Sequence, residues 1–219
     1  MEIQIWSDVV CPWCYLGKRR FEHALAEFDH RDHVRVVHRA FQLDPTASKD
    51  ETFDQVELIS KKYGISAEQF KAQQADLVRL AAAEGLEYNL EGGRVGNTFD
   101  AHRLIRLGLE RGVQDAVIER FFRAHFTEQR SLFDADSLVA LSIEAGLDAD
   151  QARSVLSGQT YTQEVQDDIR QAHAFGTNGV PFFVIDERYG ISGAQPTQTF
   201  ATALSRAWAE RATAVSDTL

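Results

Sequence analysis

Cys11-Pro12-Trp13-Cys14 constrains this chain more than any other feature. Its two cysteines are the only ones in 219 residues, and they stand directly after the apolar stretch Ile3-Gln4-Ile5-Trp6. That stretch reads as a short buried strand. Residues 12–28 follow with Leu16, Phe21, Ala24, Leu25 and Phe28 near helical spacing, and Pro12 suits the first helical turn, where its missing N–H leaves no bond unmade. The valine-rich stretch 33–41 reads as a second strand. Strand, helix and strand in succession make a βαβ unit, with parallel strands and a right-handed crossover. A C-x-x-C pair where a strand gives way to a helix is a dithiol device before it is anything else.

The middle of the chain changes character, with helical segments and almost no strand signal between about residues 52 and 175. Ser66-Ala67-Glu68-Gln69 has the spacing of a capping box and opens a helix that Gly85 ends. Helices over 99–110, 113–126, 135–145, 149–156 and 162–174 follow, separated by glycine stops. Phe182–Asp186 and Tyr189–Gly193, joined by Glu187-Arg188, then read as a β-hairpin. Pro196 opens a last helix to about residue 210, and the final residues read as frayed. The order predicts an α/β fold, a mixed sheet flanked by helices with a helical insertion.

Composition narrows the functional classes. Hydrophobic residues make up 44% and charged residues 26%, the balance of an ordinary globule. A net charge of -10 disfavours nucleic acid or an anionic membrane as partner. The first residues carry no secretory pattern, and no apolar run reaches the roughly 20 residues of a membrane span. A cytoplasmic location is therefore expected, where a lone cysteine pair is more often redox-active or metal-binding than a staple. No feature of the sequence sets an oligomeric state.

Three sets of residues carry a family resemblance. Ser7-Asp8-Val9-Val10 leads into the cysteine motif, which continues with Tyr15-Leu16-Gly17. Gly179-Val180-Pro181-Phe182-Phe183-Val184 and Ile191-Ser192-Gly193-Ala194-Gln195-Pro196 lie near the other end. With Asn97-Thr98-Phe99-Asp100-Ala101-His102-Arg103-Leu104 between them, the chain resembles the thioredoxin superfamily, more closely the DsbA family and its FrnE-like branch. The resemblance implies a thioredoxin-like domain in two parts, residues 1–48 and 161–219, around an inserted all-helical domain over 49–160. It also implies a cis-proline loop at Val180-Pro181 set against the dithiol. The dipeptide between the cysteines is Pro-Trp, not the Pro-His of the strongly oxidising periplasmic enzymes. The second cysteine pair of some FrnE-like proteins is absent.

The expected activity is thiol–disulfide exchange with a protein or small-molecule substrate. Unpaired N–H groups at a helix start stabilise a thiolate by about 0.3–1 kcal/mol, so Cys11 is the expected nucleophile, exposed, with Cys14 the buried resolving thiol. The expected catalytic residues are therefore Cys11 and Cys14, to which the resemblance adds Pro181. No bound cofactor is required, since the electrons reside in the redox-active cysteine pair; glutathione is a possible co-substrate. The alternatives are two inert thiols, or half a zinc site, which would need two more ligands. Val180 is expected to offer backbone N–H and C=O as an edge for a substrate strand. Pro12 and Trp13 form the expected apolar substrate surface, with Asn97 and His102 as polar candidates. Gly193, Ala194 and Gln195 precede a helix whose amides could hold a carboxylate such as that of glutathione. Asp8 either assists proton transfer with Cys14 or caps the turn. Two rival readings stand beside exchange. One is a glutathione-dependent isomerase or transferase similar to 2-hydroxychromene-2-carboxylate isomerases and kappa-class transferases, which commonly carry serine at the first catalytic position. The other is a non-catalytic peptide-binding chaperone.

Overall fold

A computed structural model describes the backbone of residues 1–216 and the side chains of residues 1–211. The chain runs β1 (Glu2–Ser7), α1 (Pro12–Ala26) and β2 (Arg35–Ala40), then β3 (Phe53–Asp54), α2 (Gln55–Tyr63), α3 (Ala67–Ala83), β4 (Arg94–Val95), α4 (Phe99–Glu110), α5 (Gln114–Phe126), α6 (Ala135–Glu144) and α7 (Ala149–Ser157). It closes with α8 (Thr162–Ala174), β5 (Phe182–Ile185), β6 (Tyr189–Ser192) and α9 (Thr197–Ser216). The last helix therefore passes residue 210, and the expected frayed end lies outside the described residues.

The first unit comprises Met1–Phe41 and the chain from Asp168 onward. Its sheet has the order β2-β1-β5-β6, with β1 parallel to β2 and antiparallel to β5. Alternation along β1 sends Ile3 and Ile5 to one face, where Phe21 and Ala24 of α1 and Phe200, Leu204 and Ala207 of α9 bury them. Trp6 points to the other face and packs with Phe41, Ala172 of α8 and Val184. With both faces covered, the fold is the mixed, helix-flanked sheet of thioredoxin-like proteins.

The second unit, Gln42–Asp167, is helical apart from the two-residue ladder between β3 and β4. Ser66 and Gln69 form the expected capping box at the start of α3. Arg103, 2% exposed, donates to the carbonyls of Val155, Gly158 and Thr160 and to Asp100, so one buried guanidinium ties α4 to the loop after α7.

Two expected boundaries move. The insertion spans residues 42–167 rather than 49–160. On entry, the segment after Phe41 is bound inside the second unit, where Asn97 Nδ2 donates to the Ala47 carbonyl at 2.8 Å. On exit, the border falls within α8, because Asp168 is anchored to the sheet. Its carbonyl accepts Trp6 Nε1 at 2.8 Å, and its carboxylate accepts Arg39 and the Ala40 N–H, both at 3.1 Å. Asp186 also leaves the strand assigned to it. It turns at φ 47°, with its Oδ1 accepting the Glu2 N–H at 2.8 Å.

Candidate active site

The site forms where β1 hands over to α1. The Cys11 N–H donates to the Asp8 carbonyl at 3.0 Å, closing a turn that makes Cys11 the N-cap residue of α1 with Pro12 at the helix start. Its backbone is extended and its side chain makes no capping bond. The Cys14 N–H donates to the Cys11 carbonyl at 2.9 Å, and both cysteines are free thiols.

The Val180–Pro181 bond is cis, and the Val180 carbonyl accepts the Cys11 Sγ–H at 3.6 Å. The expected substrate edge is thus half open. The β1–β5 ladder stops at Trp6–Phe182, and the Val180 N–H forms no hydrogen bond among the described residues, whereas the carbonyl is engaged by the thiol. The expected exposure of Cys11 is also corrected: it is 4% exposed and Cys14 1%. Position at a helix start left Cys11 open in the sequence reading, but a loop 169 residues further along reaches its sulfur.

Burial pushes the Cys14 thiol well above the ordinary thiol range. The hydrogen bond with Cys11, the charge on Cys11 and the Asp8 carboxylate add to the rise, against a backbone hydrogen bond at Asp8. Asp8 is itself 1% exposed. Cys14 therefore stays protonated until the chemistry demands its proton.

Gly17 explains how closely the two halves of the site approach. A Cβ there would lie 2.8 Å from Pro181 Cγ and 3.3 Å from both Cα and Cβ of Ala194. Three residues on, Arg20 Nη1 donates to the Ala194 carbonyl at 2.9 Å. The Gly193 N–H donates to the Pro181 carbonyl at 2.8 Å, and the Gln195 N–H to the Gly193 carbonyl at 2.9 Å. Gln195 Nε2 also bonds the Ser192 carbonyl. The amide cradle expected at Gly193, Ala194 and Gln195 is therefore corrected: two of its three N–H groups already hold the loop together.

Trp13 is 44% exposed beside the dithiol and Pro12 is half-buried. Trp6 and Tyr15 are buried and belong to the core. Asn97 and His102 lie in the second unit. Asn97 stands just before Thr98, the N-cap of α4, and its amide donates to the Ala47 carbonyl and accepts the Phe99 N–H, which ties the entry segment to the start of α4. His102 is 3% exposed on α4. Among the described residues, no group of three or more His, Cys, Asp or Glu could hold a metal ion, and no helix is long and apolar enough to cross a membrane. Gly17 and Arg20 escaped sequence reasoning. A glycine in mid-helix, which lowers helix stability by about 1 kcal/mol, was the available signal of close backbone approach.

A family model described as a DSBA-like thioredoxin domain matches residues 2–205. The Bacillus subtilis (strain 168) protein YwbO is 32% identical over 211 residues, covering 94% of this chain and 96% of YwbO. A probable DsbA oxidoreductase of Streptomyces coelicolor is similar in structure at a TM-score of 0.93 and 50% identity, covering 96% of this chain and 91% of that one. The cytosolic disulfide reductase DsbM of Pseudomonas aeruginosa, solved with GSH, shares the fold at a TM-score of 0.63 and 17% identity, with 94% and 98% covered.

Proposed function

The chain belongs to the DsbA-like thioredoxin-domain family, and we propose that its Cys11–Cys14 pair exchanges electrons with substrate disulfides as a thiol–disulfide oxidoreductase. The observation that carries this reading is the free dithiol at the start of α1 with Cys11 Sγ set against the Val180 peptide. In the reducing direction, the Cys11 thiolate attacks one sulfur of a substrate disulfide. That S–S bond breaks, a Cys11–substrate disulfide forms, and the other substrate sulfur leaves as a thiolate that takes up a proton. Cys14 then gives up its proton and attacks Cys11 Sγ. The substrate departs as a dithiol and the protein is left as the Cys11–Cys14 disulfide, two electrons having moved. The same steps reversed oxidise a substrate.

The Val180 peptide fits an extended substrate strand, because its N–H is unoccupied and its carbonyl is held only while Cys11 keeps a proton. Once Cys11 is in a mixed disulfide its sulfur has no hydrogen to donate, and that carbonyl is released for the substrate backbone. Trp13 supplies the adjoining apolar surface. Asp8, buried near Cys14, is the group placed to influence the resolving proton. The FrnE-like assignment rests on the Asn97–Leu104 motif together with those around Cys11 and Pro181, and a cytoplasmic setting is proposed with it. Glutathione, when present, would enter as the reducing thiol.

The test is reduction of insulin or a disulfide-bonded peptide by wild-type protein and variants. Cys11→Ser is expected to abolish exchange, and Cys14→Ala to accumulate a mixed disulfide that resolves slowly. Full turnover by Cys11→Ser would overturn the reading. Glutathione-dependent isomerisation or conjugation that survives Cys14→Ala would favour the isomerase or transferase instead.

A further inference from the structure

We infer that Arg20 is a positioning residue for disulfide exchange, setting the Val180 edge against Cys11 through the loop at residues 193–194; the inference rests on the oxidoreductase reading above. Its guanidinium touches neither cysteine in the contacts described. It donates to the Ala194 carbonyl at 2.9 Å, across 174 residues of chain. The neighbouring residue, Gly193, turns at φ 81° and donates its N–H to the Pro181 carbonyl at 2.8 Å. Pro181 in turn packs on Gly17, three residues before Arg20 on the same helix. These contacts close a loop of bonded pieces: α1, Ala194, Gly193, Pro181 and back to α1. Val180, whose carbonyl meets Cys11 Sγ, is the next residue along from the piece so clamped.

The closure has two parts of different strength. The packing of Pro181 on Gly17 keeps the loop from moving closer to α1, but packing alone resists outward motion weakly. The charged hydrogen bond from Arg20 resists that outward motion, and charge-assisted bonds are roughly twice as strong as neutral ones. Removing it leaves the 193–194 turn bonded to Pro181 and held to α1 by packing against Gly17 alone. The Val180 N–H and C=O then lose their fixed offset from Cys11, which a pairing substrate strand needs and a small disulfide does not.

The experiment compares wild type, Arg20→Met and Arg20→Lys on a disulfide-bonded peptide and on 2-hydroxyethyl disulfide, with thermal unfolding measured alongside. Methionine keeps much of the apolar stem and removes the donor, while lysine keeps a cation able to reach one carbonyl. Arg20→Met should raise KM for the peptide about tenfold or more, the scale of one lost charged hydrogen bond, with a smaller effect on kcat. The small disulfide should slow by no more than about twofold, since it uses no strand edge. Arg20→Lys should recover most of the peptide KM. Equal kinetics for Arg20→Met and wild type on both substrates would overturn the inference. So would a uniform loss on both that follows a lowered unfolding midpoint, since Arg20 would then serve the fold alone. A wild-type protein inactive on both disulfides would overturn the oxidoreductase reading itself, and this inference with it.

Discussion

Gly17→Ala sets helix propensity against packing at the site, and the geometry decides between them. Alanine in mid-helix is worth about 1 kcal/mol over glycine, so α1 alone would be stabilised. The added Cβ, however, would stand 2.8 Å from Pro181 Cγ and 3.3 Å from the Ala194 Cα. Carbon contacts settle near 3.5–4.0 Å, so about 0.7 Å of separation is missing at Pro181. Little nearby can yield. Pro181 is bonded to Gly193 and leads into β5, and the Ala194 backbone is held by Arg20. Overpacking of this kind costs typically about 1–3 kcal/mol, so the net effect is a loss of about 1 kcal/mol. In a chain of this length that lowers the unfolding midpoint by about 2–4 °C. The displacement falls on the peptide facing Cys11 Sγ, and a misplacement of about 1 Å can slow a reaction about 100-fold. Peptide-disulfide reduction should therefore fall about tenfold while most of the fold's stability survives. Denaturant unfolding and the reduction assay, run on the same preparations, read the two effects separately. A Gly17→Ala protein more stable than wild type and equally fast would refute the argument, because propensity would then outweigh the contact.

Two further outcomes follow from the site. Because burial raises the Cys14 thiol in the folded, reduced protein, the unfolded chain binds fewer protons above its own thiol pKa of about 8.5. That contribution to stability is complete below this pH and is lost as pH rises toward the folded value, so reduced wild type should lose stability as pH climbs above about 8.5 and Cys14→Ala should lose less, as read by urea titrations at rising pH. The potential should lie nearer the thioredoxin and glutaredoxin range of about -270 to -200 mV than the roughly -120 mV of DsbA, because Cys11 Sγ faces a carbonyl acceptor and the dipeptide between the cysteines is Pro-Trp rather than Pro-His; equilibration with glutathione buffers measures it, and a DsbA-like value would contradict that reasoning.

Features encoded by neighbouring residues were legible in the sequence. The apolar run before Cys11, the Pro12 helix start, the Ser66–Gln69 capping box and the hairpin after Pro181 each carry their signal within a few positions. All four are present in the structure. The β3–β4 ladder was not legible, because two residues per strand cannot display an alternation. The burial of Cys11 and the use of the Gly193 and Gln195 amides were missed for a different reason. Each depends on which loop meets which helix, across separations that local pattern does not register. Asn97 shows the converse case: a polar residue beside a helix start was read toward substrate, and in the structure its amide bonds the Ala47 carbonyl and the Phe99 N–H at the start of α4.

The position of Val180 relative to Cys11 follows from the register between α1 and β5. Helical spacing places Cys14, Gly17 and Phe21 along one stripe of α1. Pro181 directly precedes β5, two residues before Phe183. Gly17 meets Pro181, and Phe21 meets Phe183 with ring centroids 5.6 Å apart. Phe200 of α9 closes this group from the far side, 4.6 Å from Phe183 and 5.8 Å from Phe21. Sliding α1 along β5 would move the cysteines only by breaking the aromatic cluster. Each fully buried Phe contributes about 1.5–3 kcal/mol, a penalty far larger than the weak S–H···O contact could oppose. The core therefore sets the geometry, and the thiol contact follows from it.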